Sequence, residues 1–287
     1  MLGESMKLGA FEIYPVTDGR FRLDGGAMFG IVPKVLWQAC CEADELNRIP
    51  LSLTCLLIRA QGKNILVDTG LGSKEDGKFQ RMFAVERTQT LLDSLKRLGV
   101  GPEDIHLVIN THLHFDHAGG NTMKQENGTI MPTFPKAQYF IQHGEFEDAA
   151  RANERTKGSY RRDNFTPIAH ANRWEFLHGD TELLPGITAV VTAGHTRCHQ
   201  GVKIESEGKI AFFLGDLIPT VSHLPLPYIM AYDLFPIQTL ETKRWVLDRA
   251  FEERWLLLFE HDPLIQAGDV GKDLEGKYFL REVKACQ

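Results

Sequence analysis

The sequence predicts an α+β fold in one large domain. Three observations predict it. Candidate strands come in groups of two or three between single helices, not in strict βαβ alternation. A length of 287 residues suits one domain or at most two. A balance of 43% hydrophobic and 24% charged residues is that of a globular chain able to bury a core without disulfide staples. Residues 1–287 are therefore expected to form a single domain, with 1–50 as an N-terminal arm or cap.

The elements follow in order. Phe11–Val16 alternates as a strand, and Asp18–Trp37, rich in Gly and aromatic residues, reads as loop. Leu51–Ile58 and Asn64–Asp68 read as strands joined by a turn at Gln61-Gly62-Lys63. After the corner Thr69-Gly70-Leu71-Gly72, the polar Ser73–Lys78 looks mobile. Glu86–Leu98 has helical spacing, with Leu91, Leu95 and Leu98 on one face and Gly99 as its stop. Ile105–Asn110 and Ala137–Ile141 are β-prone, and His143–Asn153 is helical. Thr156–Asn172 reads as a polar, basic surface excursion. Four short strands come next: Trp174–Leu177, Ile187–Thr192, Val202–Ile204 and Ile210–Leu214. Thr239–Glu253 is a helix, and Trp255–Phe259 a buried strand.

Charge and cysteine content narrow the function. Lys and Arg total 32 against 38 acids, a net charge of −6, so a nucleic-acid partner is not expected. No run approaches the roughly 18 apolar residues of a membrane span. Met1–Ala10 carries Glu4 and Lys7 and lacks the apolar stretch of a secretory signal. The five cysteines, Cys40, Cys41, Cys55, Cys198 and Cys286, show no CxxC spacing, which disfavours a disulfide framework or a zinc ribbon. A cytoplasmic address is expected.

Histidine carries the chemistry. Thr111–Gly120 follows a strand and reads His112-x-His114-x-Asp116-His117. If the chain stays extended, His112, His114 and Asp116 point the same way and His117 faces differently. Gly119-Gly120 would then turn the backbone without a Cβ penalty. Imidazoles with a carboxylate suit zinc, iron or manganese. With 11 His in the chain, the pattern arises by chance in roughly one such sequence per thousand. Further ligands are expected where later apolar strands stop, and three fit: His195, Asp216 and His261.

On these residues the sequence resembles the metallo-β-lactamase superfamily, from about Leu51 to His261 and with the motifs in family order. Asp68-Thr69-Gly70 resembles the first motif and His112–His117 the second. His195, Asp216 and His261 match the third, fourth and fifth. The resemblance implies a four-layer αβ/βα sandwich with its site at one edge. It implies one metal on His112, His114 and His195, a second on Asp116, His117 and His261, and Asp216 bridging them. Asp68 would support the ligand loop. Two divalent ions, zinc first and iron or manganese as alternatives, about 3.5–4 Å apart, can share a hydroxide and polarise a carbonyl or phosphoryl oxygen. Asp116 would orient that hydroxide or pass its proton to the leaving group. The third motif departs from Gly-His-Thr-Pro-Gly-His, reading Gly194-His195-Thr196-Arg197-Cys198-His199. Asp216 stands where the main group of zinc β-lactamases has Cys, against antibiotic hydrolysis. His114 is not the Glu of the flavodiiron branch.

The expected reaction is hydrolysis of a small ester-like molecule, a lactone first. An organophosphate or aryl ester, or a glyoxalase II-like thioester, are the alternatives among hydrolases. A metal-binding sensor or redox protein is the alternative of another class. Leu217–Pro236 is too apolar for a free loop and too Pro-rich for a helix or central strand, so it is expected to line the substrate pocket. Tyr228 or Tyr232 would offer a hydroxyl to the substrate carbonyl, Met230 apolar contact, and Phe235 a further wall. Lactonases of the superfamily tend to carry a tyrosine three residues after the bridging Asp, where this chain has Pro219. His199 is read as a partner of the site or as core, and His223 as a surface-loop residue. Cys198 is read as a buried thiol, and His106, His143, His170 and His178 as ordinary histidines. Gly30–Lys34, between Phe29 and Trp37, resembles the arm that caps the site or contacts a dimer partner in lactonase-like and organophosphate-hydrolase-like members.

Overall fold

The computed structural model describes the backbone of residues 5–285 and the side chains of residues 5–281; Cys286 and the first four residues lie outside the described residues. Five strands open the chain: β1 (Met6–Leu8), β2 (Phe11–Asp24), β3 (Arg48–Ala60), β4 (Lys63–Val67) and β5 (Leu107–Ile109). A separate hairpin follows, β6 (Thr122–Lys124) and β7 (Ile130–Pro132), then β8 (Gln138–Gln142) and β9 (Trp174–Leu177). The first sheet runs in the order β1-β2-β3-β4-β5-β8-β9. The second runs in sequence order through β10 (Thr181–Leu184), β11 (Ile187–Val191), β12 (Gln200–Ser206), β13 (Lys209–Phe213), β14 (Leu256–Leu258), β15 (Ile265–Lys272) and β16 (Tyr278–Ala285). The helices are α1 (Gly25–Phe29), α2 (Lys34–Trp37), α3 (Gly77–Met82), α4 (Leu91–Arg97), α5 (Phe115–Ala118), α6 (His143–Ala150), α7 (Thr166–His170) and α8 (Pro236–Glu252). None of the described helices is long and apolar enough to cross a membrane.

The layers follow from strands that are apolar on both faces. In the first sheet Cys55, Leu57, Leu66 and Val108 pack with Leu91 and Leu95 of α4, Ala149 of α6 and Ile168 of α7. Their neighbours Leu56, Ile58, Ile65, Val67 and Ile109 face the other way. They meet Ile187, Val202, Ile204, Ala211 and Phe213 of the second sheet. The far face of that sheet, with Phe212, Leu257 and Val270, packs on Val246, Leu247 and Ala250 of α8. Helix, sheet, sheet, helix is the αβ/βα sandwich.

Several local expectations need correction. β2 does not stop at Val16; its register shifts between Thr17 and Arg20, where Gly19 takes φ 104°, and pairing resumes to Asp24. The expected loop Asp18–Trp37 is thus strand as far as Asp24, then α1 and α2, and residues 25–47 link β2 to β3. Ser73–Lys78 leads into α3. The helix expected from Glu86 begins at Leu91, because Thr90 and Asp93 form a reciprocal capping box. Thr156–Asn172 is not a surface excursion: Tyr160, Asn164, Phe165 and Ile168 are buried. Six strands, the short β1, β6 and β7 and the longer β10, β15 and β16, were not expected from the sequence.

Candidate metal centre

Asp68 follows β4, His112 follows β5, His195 follows β11, Asp216 follows β13 and His261 follows β14. β4 and β5 run parallel, as do β13 and β14, so these strand ends lie at one edge of the sandwich. The strand stops at Ile109, the chain bends at Thr111, and His114 is extended again. Residues 115–118 then coil into α5, so Asp116 and His117 arrive on a helical turn and not by strand alternation. Gly119 is helical, at φ −60°, and does not need glycine for the turn. A Cβ there would lie 2.1 Å from the Leu71 carbonyl oxygen, and one on Gly120 2.2 Å from that of Thr69. The two glycines let the first-motif corner and the ligand loop touch backbone to backbone.

The structure brings the seven candidate ligands together. His112, His114, His195 and Asp216 each offer one donor atom, all within 4.8 Å of one another, and Asp116, His117 and His261 do the same. Asp216 joins the sets: Oδ2 lies 3.1 Å from His195 Nε2, 3.7 Å from His112 Nε2 and 3.4 Å from His117 Nε2, and Oδ1 lies 3.1 Å from His261 Nε2. Asp116 Oδ2 is 3.9 Å from His117 Nε2 and 3.8 Å from His261 Nε2.

Hydrogen bonds behind the rings orient them. His261 Nδ1 donates to the Ser52 carbonyl (2.7 Å) and His195 Nδ1 to Asp233 Oδ1 (2.9 Å). His117 Nδ1 bonds Asp68 Oδ2 (3.1 Å), and Glu260 Oε2 lies 3.0 Å away without a hydrogen bond. In a neutral ring each of these bonds uses the single N–H, so Nε2 turns its lone pair inward. His117 Nε2 and His261 Nε2 then meet lone pair to lone pair at 3.2 Å. His112 Nε2 and Asp216 Oδ1 are buried without a hydrogen bond. Such a cluster is costly unless positive charge fills it. Protons respond to the same demand. Although burial opposes charge, Asp216 and Asp233 lift His195 to about 10, and Asp216 and Glu260 lift His261 to about 9. Burial and the neighbouring histidines hold His112 and His114 well below the usual imidazole range. Imidazoles and carboxylates in this arrangement fit divalent cations.

The supporting residues are buried acids and one histidine. Asp68 accepts from Thr111 N–H (2.8 Å) and Thr111 Oγ1 (2.6 Å), holding the ligand loop. His199 Nε2 accepts the backbone N–H of Asp216 (3.1 Å) while its Nδ1 bonds Thr192 Oγ1 (2.8 Å), and burial keeps it neutral, near 3. It therefore places Asp216. Glu145, Asp233 and Glu260 went unnoticed in the sequence as site residues. Burial pushes the carboxyls of Glu145 and Asp116 up, and that of Glu260 up to about 8.

A cavity of about 250 Å³ opens over the two sets, floored by His114, Asp116, His195, Asp216 and His261. Leu23, Met28, Phe83, Phe115, Met230 and Tyr232 form its walls. Burial raises the Tyr232 phenol to about 12, so it keeps its proton. Tyr228 does not line the cavity; its ring stands edge-on to Phe29 at 6.0 Å. Phe235 is exposed. His223 is not a surface-loop residue: it is buried, stacked on Phe29 at 4.5 Å, and its Nε2 donates to the Met28 carbonyl (2.8 Å). It ties Leu217–Pro236 to the segment linking β2 to β3. Cys198 is half-buried and outside both ligand sets, and Arg197 turns away to pair with Asp148 at 2.9 Å. A larger groove, about 570 Å³, lies at the opposite end of the first sheet around Lys7, Arg59 and Lys63, away from these ligands.

The metallo-beta-lactamase superfamily profile matches residues 48–261. An N-acyl homoserine lactonase of Bacillus sp is 31% identical over 206 residues, covering 68% of this chain and 71% of that protein. A crystal structure of a "probable metal-dependent hydrolase" from Staphylococcus aureus superposes with a TM-score of 0.88 at 32% identity, over 96% of this chain and 99% of that one. The dizinc quorum-quenching lactonase AidC, in complex with a product, shares the fold with a TM-score of 0.80 at 21% identity, over 97% of each chain. With the motifs, the layers and the clustered ligands all agreeing, the chain belongs to the metallo-β-lactamase superfamily.

Proposed function

We propose that this metal-dependent hydrolase opens lactone rings, with N-acyl homoserine lactones as the substrate class. His112, His114 and His195 would hold one zinc ion, Asp116, His117 and His261 a second, and Asp216 would lie between them. The observation that carries the reading is the pair of ligand sets sharing one carboxylate at the floor of a largely apolar cavity. When bound, two such ions lower the pKa of water to about 7 and polarise a carbonyl oxygen.

The chain's own residues supply the rest. Tyr232, protonated at neutral pH, donates its hydroxyl hydrogen to the substrate carbonyl oxygen. Asp116 lines the cavity beside the second ligand set, where it would take the proton of the attacking water and pass it to the ring oxygen as the ester bond breaks. Leu23, Met28, Phe83 and Met230 exclude water and hold an acyl chain. The lactonase names of the relatives support this substrate class. Unpaired thiols at Cys40, Cys41, Cys55 and Cys198 support a reducing, cytoplasmic setting. A panel of lactones, thioesters and phosphotriesters tests the reading, alongside metal analysis. Turnover of acyl lactones by protein holding two zinc ions per chain is expected. Silence on every lactone would overturn it.

A further inference from the structure

Glu145 is a fully buried acid in α6 that the chemistry above does not use. Its hydrogen-bond donors all belong to segments that carry or flank the first ligand set. Oε1 accepts the backbone N–H of Leu113 (3.1 Å), the residue between His112 and His114. It also accepts the Tyr160 hydroxyl (2.8 Å), and Tyr160 pairs with His114 through an isolated β-bridge, its ring 4.9 Å from the imidazole. Oε2 accepts the hydroxyl of Thr196 (2.6 Å), next to His195. The second set rests elsewhere: His117 on Asp68, His261 on the Ser52 carbonyl.

The same helix grips the third-motif turn twice more. Arg197 forms a two-pronged bond to Asp148 at 2.9 Å. A Cβ on Gly144 would lie 2.5 Å from Cys198 Sγ, so helix and turn are in close contact there. Arg197 and Cys198, which replace the Pro-Gly of the usual motif, are thus the residues that dock this turn on α6.

We propose that Glu145 is a positioning residue for the first metal set, fixing the His112–His114 segment relative to the His195 turn. This rests on the metal reading above. Three donors converge on it, and an ionised carboxylate is acceptor-only with two oxygens to offer. Glutamine keeps the volume but turns an NH₂ towards one of the donors, and only the hydroxyls can rotate to accept it.

The test is stepwise Zn²⁺ binding to the metal-free full-length chain, by competition with a chromophoric chelator. Wild type should bind two ions. Glu145→Ala should weaken one binding step about 10–100-fold, the range seen when an outer partner of a ligand is lost. The other step should stay within about twofold. The weakened step should be the one that His112→Ala abolishes. Glu145→Gln should fall between, and Thr196→Val should shift the same step. Combining Thr196→Val with Glu145→Gln should add little, because the two share one bond. If Glu145→Ala does not fold, Glu145→Gln and Thr196→Val carry the test. Equal weakening of both steps, or no change in folded variants, overturns the proposal. Fewer than two ions on wild type would instead overturn the metal reading itself.

Discussion

His117 Nδ1 has one bonded carboxylate and a second carboxyl group beside it, and this redundancy makes a sharp prediction. Its Nδ1 lies 3.1 Å from Asp68 Oδ2 and 3.0 Å from Glu260 Oε2, both fully buried. In Asp68→Asn the amide oxygen keeps the Thr111 N–H bond, and the NH₂ replaces the oxygen facing Thr111 Oγ1 and His117 Nδ1. The threonine hydroxyl can turn to accept that NH₂. The imidazole N–H cannot, but Glu260 Oε2 lies 3.0 Å from it, near enough for a small ring turn to make that bond. One bond to a charged group is lost, about 1.5–3 kcal/mol, and the Glu260 carboxyl group offsets part of it. Glu260→Met, which removes every oxygen at that position, loses less, because Asp68 keeps both the ring and Thr111. The double variant is different in kind. His117 Nδ1–H then faces an amide NH₂ and a thioether and either stays buried unsatisfied or moves its proton to Nε2, the nitrogen aimed at the centre. We expect each single substitution to weaken the more affected zinc step by about tenfold or less, and the pair by more than the product, with a coupling of at least about 1 kcal/mol. Chelator competition on all four proteins measures it, with urea unfolding of the metal-free forms as the control for stability. Additive effects, to within about 0.5 kcal/mol, would refute the sharing of His117.

Three further outcomes are expected. Tyr232→Phe should lower kcat on an acyl lactone about 2–10-fold at unchanged zinc content, the loss of one hydrogen bond of about 0.5–1.5 kcal/mol. Tyr228→Phe, whose ring packs on Phe29 outside the cavity, should not, and the reverse ranking in steady-state assays would sink the assignment. Met230→Ala should raise KM for long-chain lactones, costing about 1–3 kcal/mol in kcat/KM, and spare short-chain ones; an equal loss at every chain length would place Met230 off the acyl path. Lys243 of α8 donates to the Pro225 and Tyr228 carbonyls at 2.8 and 2.9 Å, and burial lowers it from 10.5 to about 7. Between those pH values the unfolded chain holds a proton that the folded chain has released. Stability therefore rises with pH there by up to about 1.4 kcal/mol per unit, and this group adds no slope below pH 7. Urea midpoints at pH 7.5 and 9.5 should show that slope in wild type and not in Lys243→Met; identical slopes would mean that Lys243 keeps its proton.

What could be read from the chain, and what could not, divides along a physical line. His112, His114, His195, Asp216 and His261 were legible because each is a scarce, chemically committed side chain placed where an apolar run stops. Sheet packing then brings those stops to one edge. The two-residue period placed Asp116 beside His112 and His114 for the wrong reason. The strand ends at Ile109 and α5 begins at Phe115, so a helical turn delivers Asp116 and His117. Gly19 hid the length of β2 by bulging it, and Gly119 looked like a turn residue when its task is contact with Leu71. Glu145, Asp233 and Glu260 were illegible for a common reason. An acid in the first turn of a helix or in a loop is normally a solvated group, and nothing local says otherwise. Their burial comes from segments far along the chain: Glu145 meets Thr196, 51 residues on, and Asp233 meets His195, 38 residues back. Ligands can be identified by what they are. The groups that aim them are identified only by what the fold lays over them, so in this chain the orientation of the rings, and with it the direction of each lone pair, is a property of tertiary structure.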